Sequence, residues 1–500
     1  MSDHCRIVCL VLCWLAAFRM EASEPVVLLF DNDVHCAVEG YARMAALKDS
    51  LQEDHPYVIA LSCGDFLTGN ASGTISQGIW PVRLMQSVPY DWITLGNHEF
   101  DYGIRHLQEA LAPLSDRILC CNYLSLPDST PVYPPCTLQD YGGRKIGFIG
   151  ITTPSVPNNT SSAYFNHLTF GGNHCTAIVQ HCVDELRKQG AQTVIVLSHL
   201  GDHSDPLLTS RQLIAQTHGI DVVLDGHDHS LLPPCRLRNK RGKRILLLST
   251  GSGFRYIGRV DLPRTGKPRG RLVPVTDIRC RNLPADSLLA EIRQQLEQMD
   301  QTPVGYNPFE ELASGSRDNK NVRRKETPMG DFCADALREG TGAEIGLING
   351  GAIRAGLPTG GIRMTQLYGI FPFGNTVSVV EVSGQTLLDE LNAGVLQLPQ
   401  PFGGFLQVSG LTMEVVMQPT PHVENVRTTD GHPLLPECTY TVATIDYLLK
   451  QAGNGHLFQP RRFVQESCWT DIELLRSYLQ KMPDTNDNRY HSGISRILIR

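Results

Sequence analysis

Residues 26–35, VVLLFDNDVH, run from a β-branched apolar stretch into Asp33-Val34-His35, and the same design recurs four times further along the chain. Gly64-Asp65 follows the run 58–61, Gly96-Asn97-His98-Glu99 follows 92–95, Ser198-His199 follows 194–197, and Gly226-His227 with His229 follows 222–224. Runs this short and apolar suit strands buried on both faces. Each metal-binding side chain then stands where a strand ends, and open α/β sheets form their ligand crevice outside those carboxyl ends. Donors far apart in sequence are expected to converge there on one polynuclear metal site.

A chain of 500 residues exceeds what one hydrophobic core usually supports, so two domains are expected. An excess of 51 acidic over 44 basic residues speaks against a nucleic-acid binder. The short basic run 240–244 precedes an apolar strand, 245–248, and reads as a solvated hairpin turn.

At the N-terminus Arg6 precedes an apolar run, 7–18, with small Ala22 and Ser23 after it. This resembles a secretory signal peptide cleaved near Ala22 or Ser23. The run is shorter than the roughly 20 residues of a membrane span. Bulky Leu12 before Cys13 argues against lipidation, and the end 494–500 is too short and basic for a removable anchor. The expected location is secreted or periplasmic. Of fifteen cysteines, Cys5, Cys9 and Cys13 lie in the signal-like segment, and the rest show no CxxC pairing. Cys63 and Cys120-Cys121 read as buried small hydrophobes. Disulfides are open, and their connectivity is not readable from sequence.

From residue 26 to about 277, short apolar runs alternate with amphipathic stretches, 41–52 and 176–189 being helix candidates. This favours a layered α/β domain. Leu288, Leu289, Ile292, Leu296 and Met299 then recur at helical spacing in a segment that reads as a connector. Beyond Pro303 come a helix around 330–339 and strand-like runs 377–382, 411–417 and 440–445. The expected organisation is a signal peptide at 1–23, a first domain at 24–282, a linker helix at 283–302 and a second domain at 303–500.

Asp33, His35, Asp65, Asn97, His199, His227 and His229 form an oxygen and nitrogen donor set suited to Zn, Mn, Co or Fe rather than to a cysteine-rich structural zinc. Asp65 is the natural bridging carboxylate. Two ions about 3.5–4 Å apart can clamp a phosphoryl oxygen and stabilise in-line displacement, which is phosphoester hydrolysis. His98 beside Asn97 can stabilise the transition-state charge and protonate the leaving oxygen, with Asp101 orienting it. Taken alone, an Asp-x-His or a strand-end histidine is more often incidental; five such segments in this order are not. His167, His174, His203 and His218 fit no part of the pattern and read as surface or core residues. Asp228 reads as structural, and Asp31 and Asp225 as either ligand orienters or turn residues.

The order D-x-H, GD, GNHE, SH, GHDH resembles the calcineurin-like metallophosphoesterase superfamily, and GNHEFD resembles its 5′-nucleotidase branch. The resemblance implies a four-layer α/β/β/α sandwich followed by an α+β substrate-binding domain. It assigns Asp33, His35, Asp65 and His229 to one metal, and Asp65, Asn97, His199 and His227 to the other. It makes Asn349-Gly350-Gly351-Ala352-Ile353-Arg354 a substrate motif, whose guanidinium suits phosphate. It adds Arg323 as a phosphate contact, and Phe373 and Tyr447 as two walls of a nucleobase clamp. Where the family holds ribose with an aspartate, this chain has Asn454, an uncharged donor and acceptor. The expected activity is a secreted two-metal phosphomonoesterase acting on the 5′-phosphate of small-molecule nucleotides. Alternatives are a nucleotide-sugar or 2′,3′-cyclic nucleotide phosphodiesterase, and a nucleotide-binding or host-interaction protein with little catalysis. The resemblance also implies that the two domains rotate together, with the linker helix as the pivot.

Overall fold

The computed structural model describes residues 25–159, 167–203, 205, 207–314, 320–449, 460–482, 490 and 495–500. The expected signal segment and Asn454 lie outside the described residues.

Two sheets face each other in the first half of the chain. In one, β1 (Val26–Asp31) pairs in parallel with β2 (Tyr57–Ser62), and β2 with the two-residue β3 (Trp92–Ile93). The other comprises β4 (Cys136–Tyr141), β5 (Arg144–Thr152), β6 (Thr193–His199), β7 (Val222–Asp225), β8 (Leu231–Arg238) and β9 (Arg244–Thr250), in spatial order β8-β9-β7-β6-β5-β4. β10 (Tyr256–Leu262) and β11 (Arg269–Pro274) bring the chain back to the first sheet, whose order is β11-β10-β1-β2-β3.

The inner faces interlock through one dry cluster, Leu28, Phe30 and Leu61 meeting Phe148, Leu197 and Leu224. Outside the first sheet, Tyr41 and Met44 of α1 (Glu39–Gln52) pack on Val27 and Leu29. Outside the second, Val179 and Val183 of α2 (Cys175–Lys188) pack on Ile149 and Val196. Four layers, α/β/β/α, result, as the resemblance implies. The expected strand 92–95 is shorter than its apolar run: only Trp92 and Ile93 pair, because the chain peels away towards Gly96.

The second half folds around α4 (Pro328–Thr341) and a sheet of β12 (Ile345–Asn349), β13 (Thr376–Ser383), β14 (Leu406–Ser409), β15 (Thr439–Ile445) and β16 (Arg462–Thr470), in order β14-β12-β15-β13-β16. The run 411–417 is a strand, Leu411–Val416, but it belongs to a separate small sheet with His422–Thr428 and Ile497–Ile499. Arg496 beside that last strand donates to Asp335 on α4 at 2.7 and 2.9 Å. The eleven cysteines with described side chains are free thiols, and no described helix is long and apolar enough to cross a membrane.

The expected connector is a helix, α3 (Leu283–Met299), and it does more than connect. Asn282 caps its N-terminus by accepting from the Ala285 N–H at 2.8 Å. Ala285, Leu289 and Ile292 are buried in the core that covers the first sheet. Only the far end reaches the second half, where Arg363 donates to the Asp300 carbonyl at 2.6 Å and the Thr365 N–H to its carboxylate at 3.1 Å. The helix is thus seated on the first half along its buried face and tied to the second half only just beyond Met299. Ile292→Ala is expected to destabilise the first half by about 2–4 kcal/mol, through lost burial and a residual cavity. Leu283→Ala, at a position 75% exposed, is expected to change it by under about 0.5 kcal/mol; denaturant unfolding of both variants checks the contrast.

Candidate active site

The carboxyl ends of β1, β2 and β3 from one sheet meet those of β6 and β7 from the other, and five loops deliver polar side chains to the junction. Asp33, His35, Asp65, His227 and His229 all have left-handed backbone, with φ of 50°, 45°, 62°, 86° and 56°. Non-glycine residues hold this region at a cost of about 1–3 kcal/mol each, and such strain persists only where the surroundings over-determine it. Here the strain turns each chain sharply off its strand and aims the side chain into the crevice.

Asp33, His35, Asp65 and His229 bring one ligand atom each within 4.8 Å of the others. His35 Nε2 lies 2.8 Å from His229 Nε2, and His229 Nε2 lies 3.5 Å from Asp33 Oδ1. Beside this group, His199 Nε2 is 3.3 Å from Asp65 Oδ2, and His227 Nδ1 is 2.9 Å from Asn97 Oδ1. The seven sequence-predicted donors thus form one continuous cluster, with Asp65 in contact with both parts.

Four of the seven donors are oriented through their other polar atom. Asp33 Oδ2 accepts from Asn32 at 2.7 Å and from the His227 N–H at 2.9 Å, and Asp65 Oδ1 accepts from the His98 N–H at 2.9 Å. His199 Nδ1 faces the Cys63 carbonyl at 2.6 Å, and His35 Nδ1 the Thr68 carbonyl at 3.1 Å. What remains, Asp33 Oδ1, Asp65 Oδ2 and His199 Nε2, is buried and satisfied by no hydrogen bond. Buried orphans of this kind are costly, and a divalent cation is what their chemistry fits.

Proton affinities differ across the cluster: burial opposes charge on His199, but Asp65 and Asp33 raise its pKa to about 10. Burial pushes Asp33 up to about 7, whereas the His199 and His98 imidazoles hold Asp65 well below the usual carboxylate range despite its burial. Burial and the neighbouring His199 pull His227 down to about 4, leaving the neutral imidazole a metal requires.

His98 stands at the rim. Its Nδ1 lies 2.8 Å from Asp101 Oδ2, which also accepts from Thr68 Oγ1 at 2.8 Å. Burial opposes charge on His98, but Asp101 and Asp65 outweigh it and raise its pKa. From the second half, Phe373 stacks on the His98 ring, centroids 5.3 Å apart and planes 17° off parallel, and the Arg354 guanidinium lies 5.3 Å from the Phe373 ring. Tyr447 is half-buried near Asp101 and Arg323; desolvation and the Asp101 charge push its hydroxyl up to about 12. Asn349 is at the end of β12, donating to the Gly403 carbonyl at 2.9 Å, and so braces the glycine turn that leads to Arg354. Thr74 Oγ1 donates to the Pro372 carbonyl at 2.7 Å, holding the two halves together beside the site.

Sequence reasoning left Glu99 without a role. It is fully buried, and its carboxylate accepts from the N–H groups of Asp65, Phe66, Leu67 and Gly96 at 2.8, 2.6, 3.2 and 2.5 Å. One side chain thereby welds the Asp65 loop to the Asn97 loop; the signal was an acidic residue in the same motif as Gly96 and Asn97. Asp31 and Asp225 touch no metal donor: Asp31 accepts from Ser62 at 2.7 Å and from Tyr90, and Asp225 from the Leu200 N–H at 3.4 Å. The orienter is their neighbour Asn32. Asp228 is structural as expected, accepting from the Asp202 and His203 N–H groups at 2.6 and 2.9 Å.

Glycine makes the approach of loops and ligands possible. A Cβ on Gly96 would lie 2.2 Å from Asp65 Oδ1 and 2.7 Å from His199 Cε1.

Residues 27–231 match the calcineurin-like phosphoesterase family, and residues 304–459 match the 5′-nucleotidase C-terminal domain. The chain is 26% identical to a 5′-nucleotidase of Diplobatis ommata, over 94% of this chain and 90% of that one. It is 25% identical to the trifunctional nucleotide phosphoesterase YfkN of Bacillus subtilis over 94% of its own length, spanning only 35% of that longer protein. The crystal structure of a 5′-nucleotidase precursor from Thermus thermophilus superposes with a TM-score of 0.80 at 25% identity, covering 95% of this chain and 99% of that one.

Gly96→Ala is expected to weaken divalent-cation binding by about 10–100-fold in titration calorimetry, because it displaces Asp65 and His199. Gly369→Ala, with nothing within 4 Å of the new Cβ, is expected to leave that affinity unchanged.

Proposed function

We propose that this chain, which belongs to the 5′-nucleotidase family by joining a calcineurin-like phosphoesterase domain to a 5′-nucleotidase C-terminal domain, hydrolyses the 5′-phosphate of nucleotides to nucleoside and phosphate. It is a metal-dependent phosphoesterase. The observation that carries the finer reading is the His98–Asp101 pair, 2.8 Å apart, beside the Asp/His cluster and facing Arg354 and Phe373 across the junction of the two halves.

Two divalent ions, drawn from Zn, Mn, Co and Fe, would be held by Asp33, His35, Asp65 and His229 and by Asp65, Asn97, His199 and His227. Bound there they would polarise the phosphoryl group and lower the pKa of the attacking water. The protein's own groups do the rest. Arg354 and Arg323 hold the phosphate by charge-assisted hydrogen bonds, and Phe373 and Tyr447 present aromatic surface to the base. As water forms its bond to phosphorus and the bond to the 5′ oxygen breaks, His98 gives that oxygen a proton; Asp101 keeps the imidazole charged and aligned. Solvent then returns the proton to His98.

A broader phosphodiesterase is the second reading. Two observations favour it: Asn454 replaces the charged ribose partner, and a relative carries the name of a trifunctional nucleotide phosphoesterase. Conversion of AMP, UDP-glucose and 2′,3′-cyclic AMP, assayed side by side with the nucleoside, nucleotide and sugar-phosphate products resolved by chromatography, separates the two. AMP turnover exceeding both others is expected; strong cyclic turnover without AMP turnover would reject the leading reading, and no turnover with any of the four metals would favour a binding protein. The signal-like segment at 1–23 further supports export, with release to the medium or periplasm, which N-terminal sequencing of the mature protein checks.

His98→Ala is expected to lower kcat by about 10²–10⁴-fold with KM little changed. Arg354→Ala is expected chiefly to raise KM, by roughly 10-fold or more, as the loss of a charged hydrogen bond implies; a fall in kcat alone contradicts its assignment. Exhaustive chelation is expected to abolish turnover, and stoichiometric re-addition of metal to restore it.

A further inference from the structure

Three thiols stand together on the outer face of the second sheet, away from the phosphoesterase site. Cys136, the first residue of β4, lies in register opposite Ile149 of β5. The Cys121 N–H donates to the carbonyl of Gly150, the next residue of β5, at 2.8 Å. Cys182 projects from the buried face of α2 into the same apolar cluster as Cys121 and Ile149, with Cys136 packed against its edge. The Cys182 thiol lies beside both the Cys136 and the Cys121 thiols. Helix, edge strand and the segment before it therefore bring three sulfurs to one point.

We propose that Cys136 and Cys182 form a disulfide that staples α2 to the edge strand β4, with Cys121 remaining a thiol. Exposure selects the pair. Cys121 is 1% exposed, Cys182 4%, and Cys136 is the half-buried member that an oxidant can reach. β4 is paired on one side only, so a covalent tie restrains one of the two edge strands of this sheet. The bond closes a loop of some tens of residues, the range in which a cross-link restricts the unfolded chain strongly.

The oxidant is a small-molecule disulfide such as oxidised glutathione. The Cys136 thiolate attacks one of its sulfurs, forming a mixed disulfide and expelling one glutathione thiolate. The Cys182 thiolate then attacks the Cys136 sulfur and expels the second. One S–S bond forms and one breaks; the two protons lost by the cysteines end on the two glutathione thiols, with the two electrons.

The full-length chain, incubated with oxidised glutathione, alkylated, and digested without reduction, is expected to yield one cross-linked peptide pair joining Cys136 to Cys182, with Cys121 alkylated after denaturation. Dithiothreitol is expected to lower the melting temperature of this oxidised protein by on the order of 5 °C or more. That shift should vanish in Cys136→Ser and persist in Cys121→Ser. The wild-type peptide map needs no variant to fold. Full alkylation of Cys182, or its capture by Cys121 instead, would overturn the proposal.

Discussion

Buried ligand atoms without a hydrogen bond, at the meeting of two sheets, are the constraint around which the first half is organised. Asp33 Oδ1, Asp65 Oδ2 and His199 Nε2 are sealed from solvent and make no hydrogen bond, while the other polar atom of each of these side chains is tied down. Such an arrangement is unfavourable without a cation, and left-handed backbone at five donor positions adds to it. The compensation comes from elsewhere: an interlocked apolar layer between the sheets fixes the strand ends rigidly enough that the loops cannot relax. Glu99 completes this by collecting four backbone N–H groups from two different loops.

Rigidity of the metal-binding half contrasts with the way the second half meets it. α3 is packed into the first core, yet Asp300 at its end is bound to Arg363 and Thr365 of the second half. Thr74 with Pro372, and His98 with Phe373, close the seam beside the dyad. His98 therefore belongs to one half and the aromatic and cationic groups facing it, Phe373 and Arg354, to the other, so this part of the crevice exists only where the two halves meet.

Much of this was legible in the chain itself. Period and composition of residues 26–30, 58–61, 92–95, 194–197 and 222–224 pointed to buried runs, and the residues after them include the seven side chains that converge in the crevice and the adjacent His98 and Asp101, because side-chain type and strand-end position are both local properties. The amphipathic spacing of Leu289 and Ile292 announced a helix but not its partner, since an apolar stripe says that a face is buried and not against what. For the same reason the run 411–417 was readable as a strand and not as a member of a separate sheet.

The sequence by itself determined which polar side chains follow the apolar runs, the His98–Asp101 spacing and a share of the strands and helices, all of which follow from side-chain chemistry and short-range periodicity. Tertiary structure alone decided which polar atom of four of the donors is anchored and which is left facing the centre, that Asn32 rather than Asp31 steadies Asp33, that Glu99 joins two loops, and that Phe373 lies on His98. Those facts depend on distances between residues tens to hundreds of positions apart, and only the packing of two sheets and two halves sets them.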